Sequence, residues 1–223
     1  MVNRYHAPVA PGRSVFTVVR LDPFDHTQIE EIATVAARAF HFDPFFAYLS
    51  PAHLLRARGL AIFWRAQAAA FAPAAEAHGA RGPDGRLVGV ALWIRPGAYP
   101  LPASAQLRQA LGAARALIPR PRALIDGARY LLAIERVHPH EPLWYLALLV
   151  ADPSMQRSGI GTALQQQILD RADQEALATY LETQNPDNIA YYRRFGYEIV
   201  HELKPVKAGP PLWTMRREPR QQD

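Results

Sequence analysis

The residues most able to do chemistry lie between Gln156 and Ala163, where the chain reads Gln-Arg-Ser-Gly-Ile-Gly-Thr-Ala. Two glycines stand between an apolar run, Leu143 to Val150, and a helical pattern that begins near Ile160. Strand, glycine-spaced turn and helix, in that order, make an anion site. The first N–H groups of a helix have no partner within it, and the helix dipole favours negative charge there. Gly159 and Gly161 let the backbone approach an anion without a Cβ in the way. The segment therefore predicts a site for a phosphorylated ligand.

Elements must hold this loop in place. Val15 to Arg20 reads as a first strand. Asp25 or Thr27 caps a helix whose apolar positions Ile29, Ile32, Ala33, Ala36 and Phe40 keep helical spacing, and Asp43-Pro44 breaks it. A second helix is expected over His53 to Phe71, with Leu55, Ile62, Phe63 and Ala66 as core candidates. Ala77 to Arg81 and Leu87 to Arg95 read as strands around the turn Gly82-Pro83-Asp84-Gly85. Pro96 to Pro142 is rich in Pro, Ala and Arg. It carries two helical patterns, Leu107/Leu111/Ala114/Leu117 and Leu124/Ala128/Leu131/Leu132/Glu135, and reads as a helical insertion over 96–142. Leu143 to Val150, apolar throughout, is expected as a buried central strand. A helix over Gly159 to Glu175 with Leu164, Ile168, Leu169 and Ala172 inward, a strand over Ala178 to Glu182, a short helix over Asp187 to Arg194, and strands over Tyr197 to Glu202 and Leu212 to Arg216 follow. This is a mixed α/β chain with one domain over 15–218, a flexible segment over 1–14 and a tail over 219–223.

Composition narrows the function. The chain has 223 residues, 49% of them hydrophobic, enough for one domain with a real core. It has no cysteine, so neither a thiolate nucleophile nor a cysteine metal site is available. The net charge of +5 is carried almost wholly by arginine, since the only lysines are Lys204 and Lys207. No nucleic-acid motif accompanies that charge, and an Arg- and Ala-rich composition with an anionic ligand is a stronger reading of it than nucleic acid or a membrane surface. Met1 to Gly12 does not read as a signal peptide, and no apolar run is long enough to span a bilayer. A cytoplasmic setting is expected, without nucleic-acid or membrane partners, and a homodimer is open to it. His138 and His140 lack an apparent third ligand, so no metal is expected.

Three phosphate loops compete for Gln156 to Gly161. A Walker loop ends in Gly-Lys-Ser/Thr, and this segment has no lysine. A dinucleotide loop needs a third glycine where this chain has Leu164. The coenzyme A loop Q/R-x-x-G-x-G/A fits at every specified place. Val150-Ala151-Asp152-Pro153 leads into it, and Asn185-Pro186-Asp187-Asn188-Ile189-Ala190-Tyr191-Tyr192-Arg193-Arg194-Phe195-Gly196-Tyr197 follows downstream. Together these resemble the two signatures of the Gcn5-related N-acetyltransferases, with Tyr197 in place of a Phe and Asn188 in place of an Ala. Trp144-Tyr145-Leu146, Leu181-Glu182-Thr183 and Trp213-Thr214-Met215 are similar to the branch that contains puromycin N-acetyltransferase. The resemblance runs from Glu141 to Arg217 and is weaker before that.

The resemblance implies a central twisted mixed sheet flanked by helices and an acetyl-CoA-dependent N-acetyltransferase. Acetyl-CoA would be the cosubstrate, and a small-molecule amine the preferred acceptor. Backbone groups of Leu148, Leu149 and Val150 would bond the pantetheine arm, with the Leu149 N–H facing the oxyanion. The N–H groups of Arg157, Ser158, Gly159, Ile160, Gly161 and Thr162, after Gln156, would hold the pyrophosphate, with the Arg157 side chain adding charge. Asn185 or Asn188 would bond the pantetheine side. Tyr192 would protonate the departing thiolate. As a plain helix residue it would be core, and the Gly196-Tyr197 context favours the catalytic role. Glu141 is the candidate base, in a segment where relatives often read Glu-Pro-His-Trp and this chain has Leu143 in the His place. Phe42, Phe45 and Phe46 are acceptor-pocket candidates or core aromatics. A protein or peptide acceptor, a longer acyl-CoA, and a non-catalytic acyl-CoA sensor stay open.

Overall fold

The computed structural model describes residues 16–117 and 120–220, so Val15 of the expected first strand and the tail from Gln221 fall outside it. The chain runs β1 (Thr17–Leu21), α1 (His26–Ala39), a 3-10 turn (Phe40–Phe42), α2 (Pro44–Leu49), α3 (His53–Phe71), β2 (Ala75–Arg81) and β3 (Leu87–Ile94). It continues through α4 (Ala103–Leu117), α5 (Pro121–Val137), β4 (Trp144–Ala151), a 3-10 turn (Pro153–Met155) and α6 (Ile160–Gln174). It ends with β5 (Thr179–Thr183), α7 (Asp187–Arg193), β6 (Glu198–Leu203) and β7 (Leu212–Arg217). The strands form one seven-stranded sheet ordered β1-β2-β3-β4-β5-β7-β6, antiparallel except for β4 and β5. The apolar run at Leu143 to Val150 supplies its central strand.

Each face of the sheet carries a core. On one face, Ile32, Ala36, Leu60, Trp64 and Ala68 of α1 and α3 pack against Val90, Leu92, Ile94, Leu148 and Val150. On the other, Ile160, Leu164, Ile168 and Ala172 of α6 pack against Ala91, Trp93, Trp144 and Leu146. The inward α6 residues recur every third or fourth position, as the sequence pattern requires. The start of α6 lies very close to the sheet because β3 has no side chain at Gly89. A Cβ there would stand 2.4 Å from the Ile160 Cγ2.

Two readings are corrected. Asp43-Pro44 does not only end a helix. Asp43 accepts N–H bonds from Phe45 and Phe46 and starts α2 with Pro44 in its first turn, where a proline's missing N–H costs nothing. The leucine patterns also misplace buried faces. Leu55, Leu107, Leu111, Leu131 and Leu132 are exposed. The contact between α3 and α4 is made by small residues instead: a Cβ on Gly112 would stand 2.2 Å from that of Ala66. Helices that approach so closely exclude large side chains from the seam.

Candidate active site

β4 is where the sheet opens. Its pairing with β3 runs in step from Gly89↔Ala151 to Leu92↔Leu148, then shifts so that Trp93 faces Leu146, leaving Ala147 as an extra residue. This is a β-bulge, and a bulge bends its strand. It also moves the side chains by one place: Trp144 and Leu146 enter the core of the α6 face, whereas Leu148 and Val150 enter the core of the α3 face. With β5, β4 pairs only at Trp144↔Thr179 and Tyr145↔Tyr180. Beyond Tyr145 the two strands diverge, and the β4 backbone from Leu146 to Ala151 meets the gap without a β5 partner. An extended ligand arm can bond there as an added strand.

The glycine loop sits at the outer end of this gap. Asp152 fixes its entry. The Asp152 N–H donates to the Val88 carbonyl at 2.8 Å, and its carboxylate accepts from the Ser154 N–H at 3.0 Å and from the Arg38 Nε at 2.7 Å. Burial alone would raise the carboxyl's pKa, but these donors outweigh it and hold the pKa low. Arg157 and Gly159 then adopt positive φ, 63° and 87°. Left-handed residues so spaced can turn neighbouring N–H groups to one side, as anion concavities do, and the loop leads into the first turn of α6. Gln156, Arg157, Gly159 and Thr162 are exposed, whereas Ile160 is buried and offers only its backbone.

The two glycines differ. Nothing lies within 4 Å of a Cβ added to Gly159, whose value is its φ. A Cβ on Gly161 would stand 2.5 Å from the Tyr191 hydroxyl, which also accepts from Gln165 Nε2 at 2.9 Å. Gly161 is thus required by α7 packing on α6, in addition to any ligand.

The gap leads inward to a cavity of about 230 Å³. Leu148, Leu149, Asn188 and Tyr192 line it, together with Phe45 and Phe46. Tyr192 is buried, and burial first, then Tyr191 and Tyr197, push its phenol far above its ordinary range. At neutral pH it keeps its proton. Asn188 donates from Nδ2 to the Thr183 Oγ1 at 3.1 Å. Asn185 is not among the lining residues, and its side chain accepts the Asp187 N–H at 3.1 Å within the turn before α7.

Phe42 and Glu141 stand apart from these. Phe42 is 74% exposed and lies outside the cavity, because the 3-10 turn directs it outward. Glu141 precedes β4 at the closed end of the gap, lines no part of the cavity and pairs with Arg216. Its own backbone N–H and Arg216 lower its pKa. Sequence reasoning missed Trp64, Tyr99, Glu135, Tyr145 and Glu182 as lining residues. Their signal is pairing across the fold, which spacing along the chain does not carry. A second cavity of about 400 Å³, lined by Tyr48, Arg120, Arg122 and Asp126 among others, meets neither β4 nor the glycine loop.

The model of the acetyltransferase (GNAT) family matches residues 63–197, more than half of the chain, and spans β3, β4, the glycine loop and α7. The chain belongs to the GNAT family. It is an acyltransferase of a family that uses acetyl-CoA. Solved GNAT-type structures share its fold. One from Corynebacterium glutamicum, described as histone acetyltransferase HPA2 and related acetyltransferase, is 24% identical, with 93% of this chain and 98% of that one covered and a TM-score of 0.66. The Escherichia coli ribosomal-protein-S18-alanine N-acetyltransferase is 14% identical, with 93% and 96% covered and a TM-score of 0.51. An agmatine N-acetyltransferase is 14% identical, with 90% and 99% covered and a TM-score of 0.56. Among the described residues no helix is long and apolar enough to cross a membrane.

Proposed function

We propose that this GNAT enzyme transfers the acetyl group of acetyl-CoA directly to an amine of a small molecule. The observation that carries the small acceptor is the cavity at the inner end of the β4/β5 gap. It is lined by Phe40, Phe45, Phe46, Phe63 and Trp64 and closed on one side by Leu131, Ile134 and Glu135 of α5. A concave, aromatic-lined site of this size suits a compact amine.

The loop from Gln156 to Thr162 would hold the pyrophosphate by its N–H groups and the Arg157 charge. The Leu149 backbone, which faces the gap while Leu148 and Val150 turn theirs to β3, would bond the pantetheine arm, with Asn188 beside it. The neutral amine attacks the thioester carbonyl. The resulting oxyanion takes a hydrogen bond from the Leu149 N–H. The carbon–sulfur bond breaks, and Tyr192 gives its proton to the thiolate. The protein supplies position and two hydrogen-bonding groups, and no covalent acyl-enzyme forms.

The test is thiol release from acetyl-CoA across a panel of small amines and of peptides with free N-termini or lysines. Release is expected with small amines and not with peptides. Peptide-dependent release alone would defeat the acceptor class, and tight acetyl-CoA binding without release from any amine would favour a sensor. Tyr192→Phe is expected to slow release about 10²-fold or more, with acetyl-CoA affinity by calorimetry preserved. Unchanged turnover would remove its role as acid.

A further inference from the structure

The cavity borders both cores of the molecule. Tyr192 belongs to the core on the α6 face, whereas Phe40, Phe46, Phe63 and Trp64 pack in the core on the α3 face. Phe40 stacks on Trp64 with ring centroids 4.8 Å apart, and Phe63 meets Trp64 edge-on at 5.2 Å. Asp43, three residues after Phe40 and at the start of α2, lines the cavity too. Its Oδ1 accepts the N–H groups of Phe45 and Phe46 at 3.0 and 3.4 Å. Among the described residues Oδ2 has no partner. No charged side chain offsets the burial of this carboxylate, which raises its pKa against those two N–H groups alone. Two other carboxylates line the cavity, and each has a side chain against it. Glu135 accepts the Tyr99 phenol proton, and Glu182 faces the His138 Nδ1 at 3.5 Å. No arginine or lysine is among the lining residues.

Capping α2 does not call for a charge. Asn and Ser cap as well as Asp, through one oxygen, and neither would bring a half-buried carboxylate with it. A ligand cation would meet Oδ2 and the aromatic faces together, and both attract it. A cation held there is not the nucleophile. A carboxylate favours the protonated form of an amine, whereas the nitrogen that attacks the thioester must be neutral and must reach Leu149 and Tyr192. The group at Asp43 is therefore a second one. Resting on the acetyl-transfer reading above, we propose that Asp43, with Phe40, Phe46 and Trp64, forms a subsite for a second cationic group of the acceptor. The acceptor class is then a compact diamine, acetylated at one end while the other end stays charged. Asp43 selects the substrate and takes no part in the chemistry.

The test compares three acceptors of equal length: pentane-1,5-diamine, 5-aminopentan-1-ol and pentylamine. In the wild type, kcat/KM by thiol release is expected to be about 10- to 100-fold higher for the diamine than for pentylamine, the usual effect of a charged hydrogen bond. The amino alcohol should stay near the monoamine. Asp43→Asn and Asp43→Ser keep a capping side chain, so thermal melts and acetyl-CoA affinity should report a folded site in both, yet the preference for the diamine should be lost. A role in capping alone leaves that preference intact in both variants, and such a result would overturn the subsite. So would a wild type that uses diamine and monoamine alike, a comparison that needs no variant to fold. So would equal use of the amino alcohol and the diamine, because a neutral donor would then suffice.

Calorimetric titration of the coenzyme A-bound protein with the diamine and with pentylamine keeps the two readings apart. Diamine-selective binding that Asp43→Asn abolishes, without thiol release from any amine, would defeat acetyl transfer and leave the subsite standing. Thiol release from all three amines alike would defeat the subsite and leave acetyl transfer standing. Binding of none of them would overturn the subsite as well.

Discussion

At Gly161 the space for a Cβ is taken by the Tyr191 hydroxyl, whereas at Gly159 the space is open and the backbone is left-handed. The same motif letter therefore answers to two causes. Gly161→Ala should push Tyr191 off its bond with Gln165 and lower stability by about 1–3 kcal/mol, the usual cost of overpacking. Adding Tyr191→Phe removes the obstructing oxygen, so the double variant should be more stable than the sum of the two singles predicts. Urea melts of the four proteins measure this, and additive losses would show that the hydroxyl is not the obstacle. Gly159→Ala meets no atom and should cost about 1–2 kcal/mol through backbone conformation alone.

Element packing sets where the loop points. α6 begins directly over Gly89, where a Cβ would stand 2.4 Å from the Ile160 Cγ2 and 3.3 Å from the Leu164 Cδ1. Gly89→Ala should lift the start of α6 by displacing Ile160, at a cost of about 1–3 kcal/mol. It should also weaken acetyl-CoA binding, although residue 89 lies on another strand. Calorimetric titration with acetyl-CoA checks the binding and a thermal melt the stability. Intact affinity with lowered stability would mean that the loop tolerates movement of the helix beneath it. The bulge at Ala147 acts at the same scale. One extra residue turns Trp144 and Leu146 to one face and Leu148 and Val150 to the other, near the point where pairing with β5 ends.

Across the whole molecule, the far ends of the second half are tied together by charge. Arg217 of β7 holds Asp173 of α6 through two bonds of 2.8 and 2.7 Å, and the Arg220 N–H adds a third at 2.8 Å. Burial would raise the Asp173 pKa, but these donors outweigh it and hold it below the ordinary carboxylate range. A lowered folded pKa means stabilisation that is complete at neutral pH. It is lost as pH falls below about 4 and through the lowered value. Asp173→Asn leaves Arg217 buried without its counter-ion and should cost about 3 kcal/mol at pH 7. The gap between wild type and variant should narrow as pH falls. Denaturant melts between pH 7 and pH 3 measure it, and a constant gap would show that the pair's charge is not what stabilises.

The loop, strand and helix of the candidate site were legible from residue order. A turn before a helix is local, so Gln156 to Thr162, the apolar run of β4 and the α6 spacing were all readable along the chain, as was Tyr192 once Gly196-Tyr197 marked its helix. Asp43-Pro44 carried a helix start that was readable too, by its cap chemistry. The acceptor half was not. Glu141 lies two residues before the apolar run, yet it points to Arg216 outside the cavity. Glu182 comes from the next strand of the sheet and His138 from the end of α5, and their side chains meet across the fold at 3.5 Å. Sequence determines chemistry that depends on neighbours along the backbone. Which buried charges share a cavity depends on a one-residue bulge and on helix approach distances, and packing in three dimensions decides both.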